Sequence, residues 1–104
     1  MKVIDVNSAN FRSEVLNSDK PVIVDFNAEW CGPCNMLRPI VHQFAEEHDN
    51  IKVVSVDVDS EEELSMKYGV SSIPCIVVFK NGAEVSRSIG FKNKAQLESL
   101  FGGI

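Results

Sequence analysis

The sequence predicts an α/β fold, a mixed β-sheet sandwiched between helices, and three observations carry that expectation. Short β-branched runs alternate with segments of helical periodicity. The run Val22-Ile23-Val24-Asp25-Phe26 is apolar on both faces, as a central strand covered from both sides requires. A hairpin signal and a last helix follow, so antiparallel pairing must join a sheet that βαβ units would otherwise make parallel. The string of elements reads β-α-β-α-β-α-β-β-α.

After a first strand, Asn7 and Ser8 are suited to cap a helix whose apolar positions Phe11, Val15 and Leu16 fall on one side. Pro21 opens the strand Val22 to Phe26, and a loop from Asn27 to Gly32 leads into a long helix. In that helix Met36, Leu37, Ile40, Val41, Phe44 and Ala45 repeat with the spacing of one buried face. Pro39 lies inside it and predicts a kink. Ile51 to Val58 has strand composition. Ser60 with Glu63 forms a capping-box pattern for a short helix through Tyr68, closed by Gly69. Cys75 to Lys80 and Ala83 to Ile89 flank Asn81-Gly82, a pair that supplies the positive φ angles of a two-residue hairpin turn. Asn93 and Gln96 then cap a last helix with Leu97, Leu100, Phe101 and Ile104 on its apolar side.

Residues 1–104 read as one domain, because two cores would each call for roughly 100 residues. With 10 Lys plus Arg against 15 Asp plus Glu the net charge is -5, and the basic residues are scattered singly. A phosphate backbone is therefore not an expected partner: no nucleic acid. Met1-Lys2-Val3-Ile4-Asp5 lacks the apolar stretch of a signal peptide, and no run of eighteen apolar residues occurs, so a cytoplasmic chain without a membrane partner is expected. The 3 cysteines are an odd number, which excludes a fully paired disulfide framework in a monomer and points to redox or metal chemistry.

Trp30-Cys31-Gly32-Pro33-Cys34 falls where the central strand gives way to the long helix, the kind of turn at which α/β sheets gather their reaction sites. Residues i and i+3 of a first helical turn are about 5–6 Å apart at their side-chain carbons, near the reach of a disulfide. The closed loop is short and constrains the unfolded chain by only roughly 2 kcal/mol, which suits repeated reduction. Cys31 would stand at the helix edge, where unpaired N–H groups and the macrodipole favour a thiolate, with Cys34 one turn further in. Cys31 is thus the expected nucleophile and Cys34 the resolving thiol, and Pro33 stiffens the turn between them. A lone C-x-x-C is also half a zinc site, but the other half would have to come from Cys75, His42 and His48, which have no matching spacing, so no metal is expected.

In this context the motif resembles the active site of the thioredoxin family. The resemblance runs nearly end to end through Asp25, Pro39, Ile73-Pro74, Asn81-Gly82 and Gly90. It implies a thioredoxin fold, a central mixed sheet flanked by four helices, and a monomeric protein-disulfide reductase serving cell redox homeostasis and electron transport. No cofactor would be bound, and electrons would come from NADPH through a thioredoxin reductase. Substrates would be disulfide-containing proteins such as peroxiredoxin, ribonucleotide reductase or methionine sulfoxide reductase, among which the residues do not choose.

The resemblance also weights individual residues. Asp25 interrupts an apolar strand and on its own reads equally as a structural hydrogen-bonder or a functional acid. The resemblance makes it the proton acceptor that helps deprotonate the resolving thiol. It also makes Ile73-Pro74 a cis bond packed on the cysteine pair, and it joins Trp30, Gly32, Ile73, Pro74 and Gly90 in a substrate-docking surface where Ile73 offers backbone hydrogen bonds to an extended peptide. Without it, Trp30 is an ordinary half-buried aromatic and Pro39 only a kink. His42 and His48 have no partner pattern, and the acidic run from Asp57 to Glu63 reads as a solvated edge.

Three positions depart from the family pattern. Asn35 stands where many members carry lysine or arginine, with Arg38 one turn on as a compensating charge near the thiolate. Ser55 aligns with a lysine of bacterial members beside the buried aspartate, which should ease protonation of Asp25. Cys75 replaces a usual threonine and reads as a small packing residue, the alternative being a regulatory or dimer-forming thiol. Two rival functions remain: a disulfide oxidase or isomerase, disfavoured by Pro33, and a redox-inactive binding module, disfavoured by the intact cysteine pair.

Overall fold

The computed structural model describes residues 2–104. Five strands form one mixed sheet in the order β1-β3-β2-β4-β5: β1 (Ile4–Asp5), β2 (Val22–Asn27), β3 (Lys52–Asp57), β4 (Cys75–Lys80) and β5 (Ala83–Ile89). β1 and β2 run parallel to β3, whereas β4 runs antiparallel to both β2 and β5. Four helices flank the sheet: a single π-helical turn (Arg12–Leu16), α1 (Gly32–Glu47), α2 (Glu62–Lys67) and α3 (Lys94–Phe101). The expected architecture is the one observed.

β2 is the centre of the molecule, and all six of its residues are buried. Pleating sends Val22, Val24 and Phe26 into one apolar cluster with Phe11, Val15 and Phe79, while Ile23 joins Leu37, Phe44 and Phe101 on the opposite face. Burying each such Val, Ile or Phe side chain stabilises the fold by about 1.5–3 kcal/mol relative to exposure. Asp25 and Asn27 are the polar exceptions on this strand: their pleat positions share the Ile23 face, next to the helix that carries the cysteines.

The hairpin forms as its turn residues require, with Asn81 at φ 53° and Gly82 at φ 80°. A Cβ at Gly82 would stand 3.1 Å from the Leu16 carbonyl oxygen, so packing as well as backbone angle selects glycine there. The last helix carries the expected reciprocal cap, Asn93 Oδ1 accepting from the Gln96 N–H at 2.8 Å and Gln96 Oε1 from the Asn93 N–H at 2.8 Å.

Several local expectations are corrected. Asn7 Oδ1 accepts from the Ala9 and Asn10 N–H groups, so it closes the turn before the first helical segment, which begins only after Phe11. Ser60 does not cap α2: the cap position is Glu61, and the Ser60 hydroxyl donates back to the Asp57 carbonyl. Met36 and Leu100 are exposed because the sheet covers a narrower stripe of each helix than the periodicity marks. Pro39, exposed, lies within the span of α1 and removes the amide that would have bonded the Asn35 carbonyl.

Candidate active site

The end of β2 and the start of α1 bring the two cysteines together as a disulfide, their Cα atoms 5.2 Å apart. Cys31 is the N-cap of α1 with extended backbone (φ -85°, ψ 111°), Gly32 and Pro33 are the first two helical residues, and Cys34 is the third. Proline is tolerated there because no intrahelical partner awaits its missing N–H. The Cys34 N–H donates to Cys31 Sγ at 3.2 Å, so a backbone donor and the helix dipole both favour negative charge on that sulfur once the disulfide opens. Cys31 retains 5% of its surface and Cys34 only 1%, the order expected of an attacking and a resolving thiol. A Cβ on Gly32 would meet no atom within 4 Å, so packing does not demand glycine there.

The loop before β4 closes the site from the other side. Ile73-Pro74 is cis, and the Ile73 carbonyl oxygen lies 4.0 Å from Cys31 Sγ. Ala28, Cys31 and Cys34 form a small apolar cluster with Val58 and Ile73 against them. The Gly90 N–H donates to the Pro74 carbonyl at 2.8 Å, and Gly90 has φ 94°, a left-handed angle that favours glycine. Trp30 is 70% exposed, not half-buried, and its indole N–H donates to Asp59 Oδ2 at 2.7 Å. Part of the acidic run thereby has work in orienting this ring.

Asp25 faces α1 from β2. It lines a cavity of about 300 Å³ together with Val3, Asp5, Arg38, Val41 and His42, and among the described residues its Oδ1 has no hydrogen-bond partner. Burial raises its pKa to about 6, with the Arg38 charge and the Asn27 amide pulling it part of the way back. Ser55, its neighbour in the β3 register, supplies a hydroxyl and no charge. Arg38 turns toward Asn27 and Asn35, and its charge lowers the Asp25 pKa. Cys75, 1% exposed in the apolar cluster on the far face of the sheet, has its thiol pKa pushed up chiefly by burial, the environment of a packing residue.

Asn27 is a site residue that the sequence reading left in a loop. Its side-chain amide donates to the Asp25 backbone carbonyl at 3.0 Å and to Ser55 Oγ at 2.8 Å, tying β2 to β3. The available signal is its place two residues after Asp25, on the same face of a strand that is otherwise apolar. His48, also read as unpartnered, is the C-cap of α1 with Nε2 2.7 Å from Glu98 Oε1.

The comparisons agree with this geometry. The thioredoxin family model matches residues 2–101. A thioredoxin of Porphyra purpurea is 46% identical over 95% of this chain and 94% of its own length, and one of Rickettsia typhi is 47% identical over 91% of each. A protein named bifunctional thioredoxin reductase/thioredoxin from Mycobacterium leprae is 44% identical over 90% of this chain, which spans 21% of that larger protein. A helix-capping disulfide beside a cis-proline loop, on a sheet of this order and in a sequence matched from end to end, makes the chain a member of the thioredoxin family, the dithiol–disulfide oxidoreductases that reduce protein disulfides.

Proposed function

We propose that within this activity Cys31 attacks and Cys34 resolves. The Cys31 thiolate attacks one sulfur of a target disulfide, forming the mixed disulfide and expelling the target's other sulfur as a thiolate. Cys34 loses its proton to Asp25 and attacks Cys31 Sγ, which re-forms the Cys31–Cys34 disulfide and releases the second target thiolate. Two electrons pass to the target and the chain is left oxidised. Pro33 keeps the two sulfurs in register, while Pro74, Trp30, Gly32, Ile73 and Gly90 form the surface on which an extended peptide docks.

The observation that carries this reading is the Cys34 N–H on Cys31 Sγ at the cap of α1. It supports Cys31 as the sulfur that holds negative charge. Residues 1–104 act as one monomeric domain in the cytoplasm, re-reduced by electrons from NADPH through a thioredoxin reductase. The Mycobacterium leprae protein, whose name joins the two activities, supports a reductase partner. Among the described residues no helix is long and apolar enough to cross a membrane, and no group of three or more His, Cys, Asp or Glu side chains is arranged to hold a metal.

Cys34→Ser is expected to stall at the mixed disulfide and accumulate a covalent complex with a protein-disulfide substrate, visible on a non-reducing gel and lost on adding dithiothreitol. Cys31→Ser should form no such complex and reduce nothing. Trapping by Cys31→Ser, with none by Cys34→Ser, would reverse the two roles.

A further inference from the structure

We infer that Arg38 is a positioning residue for Asp25, its guanidinium delivered from α1 and braced by Asn27 and Asn35 so that its charge favours the proton-accepting carboxylate. The inference rests on the role proposed above for Asp25. Arg38 Nη1 donates to Asn27 Oδ1 at 3.4 Å, and Nη2 donates to Asn35 Oδ1 at 3.1 Å. Asn27 in turn donates to the Asp25 backbone carbonyl and to Ser55 Oγ. One asparagine thus links the guanidinium to the strand position of the acid.

Charge at that position matters because the acid is poorly served. Asp25 is buried, its Oδ1 lacks a partner among the described residues, and an ionised carboxylate in such surroundings is costly. The groups facing it from neighbouring elements are few: Arg38 and His42 from α1, Asp5 from β1 and neutral Ser55 from β3, while Cys75 of β4 lies on the opposite face of the sheet. Arg38 is the permanent cation in this set, and Asp5 carries the opposing sign. Arg38 also lines the larger polar groove of about 590 Å³ beside Asn27, Asn35 and Ser55, so it stands between that groove and the cavity of Asp25. A low-dielectric surrounding lets such a charge act without direct contact. The lowering of the Asp25 pKa by Arg38 has the sign this arrangement requires.

The test compares Arg38→Gln, which keeps hydrogen-bonding capacity and removes the charge, with Arg38→Lys, which keeps the charge. The Asp25 carboxyl signal is titrated by carbon NMR in the disulfide form, and release of a preformed mixed disulfide is followed against pH. Arg38→Gln should raise the Asp25 midpoint by about 0.5 pH, roughly a threefold tighter hold on the proton, and Arg38→Lys should recover most of that change. The low-pH limb of the release rate should move upward with the midpoint, and in an Asp25→Asn background Arg38→Gln should leave the rate unchanged. A midpoint unmoved in Arg38→Gln, or moved equally in both variants, overturns the inference. A midpoint that moves without the rate profile supports the coupling of Arg38 to Asp25 and overturns the part assigned to Asp25 in resolution.

Discussion

Helix α1 carries two polar clusters, one along its first half and one at its end, and they are built on opposite terms. At the first, Asp25 is buried with an unpartnered oxygen, and its pKa is raised to about 6. At the second, His48 stacks on Phe44 with ring centroids 4.2 Å apart and meets Glu98, while Lys94 bridges Glu98 and Glu47. There every charge has an opposite neighbour, the Glu98 pKa is lowered first by His48 and then by Lys94, and the Lys94 pKa is raised by its two glutamates. The exposed cluster joins α1 to α3 and favours the folded state. The buried one works against folding and lies along the half of α1 that begins with the cysteine pair, so incomplete satisfaction of a polar group, more than its presence, distinguishes that end of the helix.

The largest expected effect breaks the first cluster. The unfolded chain releases the Asp25 proton near pH 3.8, while the folded chain keeps it to about 6. Between those values the native state binds more protons, so stability falls as pH rises and stays lower above the window, by about 3 kcal/mol in all. Asp25→Asn should therefore be more stable than the parent by up to about 3 kcal/mol at pH 8 and nearly equal to it at pH 3, as measured by urea unfolding, while resolving mixed disulfides more slowly. A parent more stable than the variant at pH 8 would contradict the cost assigned to the buried acid.

A smaller effect concerns the platform of the second cluster. Asn93→Ala removes the cap of the helix that presents Lys94 and Glu98, and should cost about 1 kcal/mol without altering the Asp25 titration. Chemical denaturation with the NMR titration in parallel checks both halves. Smaller still is Glu98→Gln, which takes away the shared partner of His48 and Lys94. Because the lowered Glu98 pKa adds stability above its unfolded value, that contribution is lost as pH falls through the folded value. The difference between parent and variant should therefore be slight at pH 7, absent well below the folded pKa, and reduced in 1 M salt, where the Debye length is about 3 Å. A difference at pH 7 that salt leaves unchanged would mean that packing, not charge, holds α1 to α3.

What could be read in advance follows from how local each signal is. Asn81-Gly82, the largely apolar β2 run and the Asn93/Gln96 cap each depend on a few neighbouring residues, and each forms as expected. The cysteine pair likewise carries its geometry within four residues. The polar scaffold around it does not: Arg38 meets Asn27 only because α1 packs along β2, and His48 meets Glu98 across 50 residues of chain. The Ser60 pattern misleads because Asp57 offers its carbonyl to the same hydroxyl and Glu61 takes the cap position. Arg38 follows the cysteine pair by one turn in sequence, and in the fold it also lines the cavity of Asp25.

The exposed indole of Trp30 has a further consequence. It is the chain's single tryptophan, it lies largely in solvent, and it precedes Cys31 directly. A disulfide next to an excited indole drains its emission, and a dithiol does so far less. The molecule therefore carries its own optical gauge: the fluorescence of one residue reports whether the pair is open or closed, without label or coupled assay, and with no second tryptophan elsewhere in the chain to blur the signal.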